Sequence, residues 1–175
     1  DIPASTEQIL HHERYFAERD FPTLVSLPSP AIPDGAGSLG FVRSGSLGEW
    51  LTYRSFLCAG GEGRGLDETT ARRAAAGWDG DAWVVLAPPA GEPALIWFTV
   101  WDTPQDAQEF AEAAADAALL RAERGKKQAE GGRIRLDTSH GYGLVEVRAR
   151  EVVVVEAVGS PDVATAFAEA AWRDA

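Results

Sequence analysis

The chemistry open to this chain rests on few side chains: three histidines, one cysteine, and a stretch where tryptophan and aspartate crowd together. His11-His12-Glu13 places two imidazoles side by side in sequence. Adjacent residues point to different faces of a helix, so this pair lacks the i, i+4 spacing that lets two rings grip one zinc ion. His140 sits alone in a turn between two expected strands. Asp79 and Asp81 flank Gly80 beside Trp78, a spacing that suits a calcium ion or an acid/base pair. The same residues also read as a helix stop and a turn into a strand, with the carboxylates bonding local N–H groups. Trp97 and Trp101 are an even step apart and share a strand face. They form either core or an aromatic platform for a peptide or a sugar ring. Cys58 has no second thiol and no positioned base nearby, and it falls on the apolar side of a helical pattern, which implies a buried thiol. An enzyme assembled from Asp79, Asp81, His140 and Glu146 is a further arrangement to test. Serine-triad, phosphate-loop and dinucleotide signatures are missing, so no complete catalytic site and no cofactor is expected.

The elements that must position these residues fall into two regions. In residues 1–46, Ser5 and Gln8 form a capping-box pattern ahead of a helix that carries Ile9, Leu10 and Phe16. Pro22, Pro28, Pro30 and Pro33, then Gly35, Gly37 and Gly40, forbid regular helix and favour an extended arm. Residues 47–175 read as an α+β domain. Leu47, Trp50, Leu51, Arg54, Leu57 and Cys58 recur at helical spacing and predict an amphipathic helix over 47–59 with those residues inward. Asp67 caps a second helix that stops at Gly77. Strands are expected over 82–87, 94–101, 133–138, 144–150 and 152–157. Thr103-Pro104 and Ser160-Pro161 each open a helix with proline at its first position, the first of them running to about Arg124. The expected fold is a mainly antiparallel sheet of about five strands with helices packed on one face.

Composition narrows the partners. The net charge is −11, from 27 acidic and 16 basic residues. A duplex-binding surface needs clustered cations to displace counterions, so nucleic acid is excluded as a partner. No apolar run approaches the roughly 20 residues of a membrane-spanning helix, which argues against membrane insertion. Methionine is absent even from position 1, which reads as a processed product or an excised piece.

Three segments together carry a resemblance: Ser5-Thr6-Glu7-Gln8-Ile9-Leu10-His11 with Tyr15, Ala74-Ala75-Ala76-Gly77-Trp78-Asp79-Gly80-Asp81, and Ile96-Trp97-Phe98-Thr99-Val100-Trp101-Asp102 running into Glu109-Phe110. The chain resembles the C-terminal portion of a family of exported, zinc-metallopeptidase-like proteins of bacteria and haloarchaea. In that family the zinc-binding helix lies upstream of the first segment, and it is not in this chain. His12 stands where the family usually has proline, and Asp79 where it usually has glycine. The resemblance implies an extracytoplasmic accessory domain with no catalytic site and no metal of its own, partnered by the metal-binding half of the same precursor. Glu7, His11 and Tyr15 would then contact substrate. The alternative is a free-standing extracytoplasmic module for a protein, peptide or glycan ligand, using Trp78, Asp79, Asp81, Trp97 and Trp101.

Overall fold

The computed structural model describes residues 2–12, 16, 21–27 and 32–174. Its helices begin where the capping chemistry puts them. Helix α1 (Thr6–Leu10) starts at Ser5, whose hydroxyl accepts from the Gln8 N–H at 3.3 Å. The Gln8 side chain reaches back to the Ala4 N–H at 2.8 Å, one residue earlier than a capping box requires. Helix α2 spans Gly48–Leu57 and α3 spans Glu68–Ala75. Asp67 caps α3, and hydrogen bonds from the Thr70 side chain and backbone hold its carboxyl below the ordinary aspartate value. Helix α4 (Pro104–Ala122) opens with a reciprocal capping box between Thr103 and Asp106. It stops where Glu123 turns left-handed at φ 59°. Helix α5 (Pro161–Asp174) begins after Ser160, whose hydroxyl accepts from the Val163 N–H.

Seven strands form one antiparallel sheet in the order β1-β2-β3-β7-β6-β5-β4. They are β1 (Gly40–Gly45), β2 (Trp78–Ala87), β3 (Ala94–Trp101), β4 (Gly125–Glu130), β5 (Arg133–Thr138), β6 (Gly141–Arg148) and β7 (Glu151–Val158). The α+β antiparallel class is as expected, but the expected five strands are the inner ones, and both edges are additional. Every residue of β1 and of β4 is exposed, so neither carries the apolar alternation that marks an inner strand. Strand β1 lies inside residues 1–46, where an extended arm was expected, and it joins the sheet. Strand β2 starts at Trp78, so the anticipated turn at residues 77–81 is strand with a bulge between Trp78 and Gly80.

The helices pack on both faces of the sheet rather than one. Val152 and Val154 face α2, α3 and α4, whereas Val153 and Val155 face α5 together with Leu27 of the N-terminal region. Period-two alternation on a strand buried on both sides makes this possible, and Val152–Val155 is continuously apolar for that reason. The buried residues of α4 are alanine except for Phe110, with Ala107, Ala111, Ala114 and Ala118 among them. Small side chains let that helix lie close to the sheet, and Phe110 reaches Trp97 and Trp101 at ring separations of 5.0 and 4.6 Å.

Helix α2 is rotated from its expected orientation. Thr52, Tyr53 and Phe56 are buried, while Trp50 and Leu51 are exposed, as is Cys58. The cause lies at its N-terminus, where a strand carboxylate fixes how it enters the domain. No helix among the described residues is long and apolar enough to cross a membrane.

Candidate functional site

Asp81 is the most heavily bonded side chain near the expected acid/base pair. The bulge at Asp79 places Trp78, Asp81 and Trp83 on one face of β2. Asp81 Oδ1 accepts from the Ser46 hydroxyl at 2.7 Å, from the Gly48 N–H at 3.0 Å and from the Trp78 indole at 3.1 Å. Oδ2 accepts from the Leu47 N–H at 2.9 Å and from the Trp97 indole at 2.9 Å. The side chain is 5% exposed. Helix α2 has no side-chain cap from its own segment, and Asp81 supplies one from the sheet, at the positive end of the helix dipole. All five donors come from the protein, so the carboxylate works as a clamp between β2, β3 and α2.

Asp79 faces the other way. Its carboxylate accepts from the Thr23 N–H at 3.0 Å and the Thr23 hydroxyl at 2.8 Å, and its carbonyl accepts from the Thr23 N–H at 2.7 Å. Asp79 and Asp81 therefore point to different partners and do not form a pair. Trp78, Trp97 and Trp101 are buried at 4, 5 and 0% exposure, which makes them core and removes the platform alternative. The Trp101 indole donates to the Thr99 hydroxyl at 2.7 Å.

Glu7 lies on α1 and is buried. His11 Nε2 lies 3.1 Å from Glu49 Oε1 at the start of α2, so the two elements are joined through a histidine–carboxylate contact. Tyr15 lies outside the described residues. Glu146 is buried on β6 between Arg133 and Arg148, with contacts of 3.0 and 2.8 Å. His140 lies at the opposite end of the sheet from Asp81, so Asp79, Asp81, His140 and Glu146 are not brought together. Among the described residues no group of three or more His, Cys, Asp or Glu side chains is arranged to hold a metal ion.

A cleft of about 460 Å³ opens at the far end of the sheet, and of the expected site residues His140 alone lines it. It lies between the C-terminal ends of α2 and α4 and the end of the sheet where β5, β6 and β7 meet. Its floor is apolar, from Leu95, Leu136, Ala118 and Ala122. One wall is the pair Arg121–Glu156, bidentate with Nε–Oε2 at 3.2 Å and Nη2–Oε1 at 2.5 Å. A bulge aims that wall: Tyr142 pairs with Val158 and Leu144 with Val155, leaving Glu156 and Ala157 against Gly143. Ala157 takes a left-handed φ of 59°, unusual for a residue with a Cβ. Gly143 faces the floor, and a Cβ there would stand 2.7 Å from the Val155 carbonyl oxygen, so the position stays bare and the cleft open. Arg121 and Glu156 read as ordinary surface charges in sequence; the turn residue His140 and the Gly141-x-Gly143 spacing are the local signs of the cleft.

Residues 39–168 match the family model described as "Domain of unknown function (DUF8575)". No curated protein and no solved structure matches the chain.

Proposed function

The chain belongs to the DUF8575 family, and we propose that it is a non-catalytic accessory domain of an exported, metallopeptidase-like protein, docking on a metal-binding half through its N-terminal side. The observation that carries this reading is where apolar surface is left in water. Among the described residues, every exposed large hydrophobic side chain lies between Ile2 and Leu51. Ile9 and Leu10 lie on α1 and Trp50 and Leu51 on α2, two helices that meet where the Thr6 hydroxyl accepts from the Trp50 N–H and Gly48 sits against Thr6. Phe41 and Val42 are exposed on the open edge strand β1. Apolar surface concentrated on one side of a domain marks a contact with another protein surface. The rest of the reading, including the extracytoplasmic setting and the upstream metal-binding half, rests on the resemblance of the 5–15, 74–81 and 96–110 segments. The net charge of −11 speaks against nucleic acid as the partner.

The test compares amide exchange of this chain alone with the same residues inside the longer precursor. Added protection at Ile9, Leu10, Trp50 and Leu51 supports docking through this side. Unchanged exchange there, or protease activity from the isolated chain, overturns the reading.

A further inference from the structure

We infer that the cleft at the C-terminal end of α4 binds a short, uncharged, extended peptide segment. The site is distinct from the apolar docking side, since it faces the C-terminal end of α2 whereas α1 covers the N-terminal end. Its volume of about 460 Å³ falls in the range of about 300–1,000 Å³ typical of small-ligand sites. The apolar floor of Leu95, Leu136 and Ala118 accepts an aliphatic side chain.

The wall decides the charge of the ligand. Arg121 and Glu156 neutralise each other through two parallel hydrogen bonds, so neither a free anion nor a free cation finds an unmatched charge there. Arg121 Nη1 has no protein partner among the described residues, and the carboxylate oxygens of Glu156 retain lone pairs. The wall thus offers a donor beside an acceptor, the complement of a backbone amide. The bulge adds main-chain groups of the same kind, because two residues of β7 oppose one of β6 and the ladder is interrupted beside the floor. A neighbouring segment would meet here what it meets at a strand edge: main-chain polar groups beside a pocket for one side chain. His140 and Tyr142, whose ring packs in part with the α5 side of the sheet, also line the cleft, and a sugar stacking on either ring is the outcome that the cellobiose arm tests.

The experiment titrates the isotope-labelled full chain with an N-acetylated, C-amidated Ala-Leu-Ala-Ala peptide and, in parallel, with cellobiose. The peptide is expected to shift the amides of Gly60, Gly143 and Ala157 saturably. The double variant Arg121→Met with Glu156→Gln keeps the wall uncharged, and its folding is read from shift dispersion. It should weaken peptide binding about tenfold, the worth of one lost hydrogen-bonded pair. The control variant Glu169→Gln, an exposed charge on α5 outside the cleft lining, should leave binding within about twofold. No saturable shift, shifts confined to other surfaces, equal binding by the folded double variant, or a response to cellobiose in place of the peptide each overturn the inference.

Discussion

The Asp81 carboxylate on β2 accepts the backbone N–H of Gly48, the first residue of α2, at 3.0 Å. The strand therefore caps a helix that lies 33 residues earlier in the chain. Two indoles share the same carboxylate, which ties the rotation of α2 to the packing of Trp78 and Trp97. Replacing Asp81 by alanine leaves several buried donors without an acceptor. At about 1–3 kcal/mol for each donor left unsatisfied, Asp81→Ala should cost at least about 3 kcal/mol. Asp81→Asn keeps one carbonyl oxygen and should cost about half as much. Urea melts followed by tryptophan fluorescence measure both, and a loss under about 1 kcal/mol for the alanine variant would show that the clamp adds little.

The tryptophans separate into core and surface. Trp101 is fully buried against Phe110, and truncating it to alanine should cost about 3–5 kcal/mol, as large aromatic deletions in cores do. Trp50 is 44% exposed, so Trp50→Ala should cost much less. Parallel melts of the two variants check the contrast, and equal losses would contradict it.

The helices and inner strands were legible because each has a local physical cause in sequence. Asp67 and Thr103 cap as their residue types demand, and Val152–Val155 is apolar because both its faces are covered. The edge strands were not legible. Strand β4 reads Gly-Lys-Lys-Gln-Ala-Glu, a polar run in which lysines on an open edge discourage strand addition but erase the hydrophobic signal. A signal did exist in Gly131-Gly132, a two-residue hairpin pattern between β4 and β5. The rotation of α2 was hidden because its determinant, Asp81, is far away in sequence. The cleft was hidden for a similar reason: Arg121 and Glu156 meet only because a bulge displaces β7.

Gly80 is where the N-terminal region touches the sheet. A Cβ at that position would lie 2.3 Å from the Thr23 carbonyl oxygen, an overlap that backbone movement alone can relieve. Gly80→Ala should therefore lift residues 21–27 from β2, breaking the Thr23–Asp79 hydrogen bonds while the sheet persists. Limited proteolysis should show faster cleavage near Thr23 with little change in the melt of the domain. Cleavage at the parent rate would mean that the two segments part without cost.

Zinc affinity tests how far the metal-binding half is needed. His11 and His12 are adjacent in sequence without the i, i+4 spacing that grips one zinc ion, His140 stands apart, and Cys58 is the sole thiol. Metal-stripped protein titrated with zinc should show no stoichiometric site of sub-micromolar affinity. A site of that strength abolished by His11→Ala would place metal chemistry in this chain.

The last prediction concerns α1, whose stability has to come from contacts outside itself. A helix of five residues is far below the roughly 12–15 that hold together alone in water. Its ties to the domain include the Thr6 hydroxyl to the Trp50 N–H at 3.4 Å and His11 to Glu49 at 3.1 Å. Two of its apolar side chains, Ile9 and Leu10, remain in water. Strand β7 is the opposite case, paired on both sides and covered on both faces, with Val152–Val155 fully buried. Local opening costs little where few apolar contacts must be broken and approaches the global unfolding energy where many must be. Amides of Thr6–Leu10 should therefore exchange orders of magnitude faster than those of Val152–Val155 in the isolated chain. Binding of a partner to the apolar side should slow the first set and leave the second unchanged. If α1 in the isolated chain exchanges as slowly as β7, it belongs to the domain's own core, and the proposal that this side awaits a partner loses its physical basis.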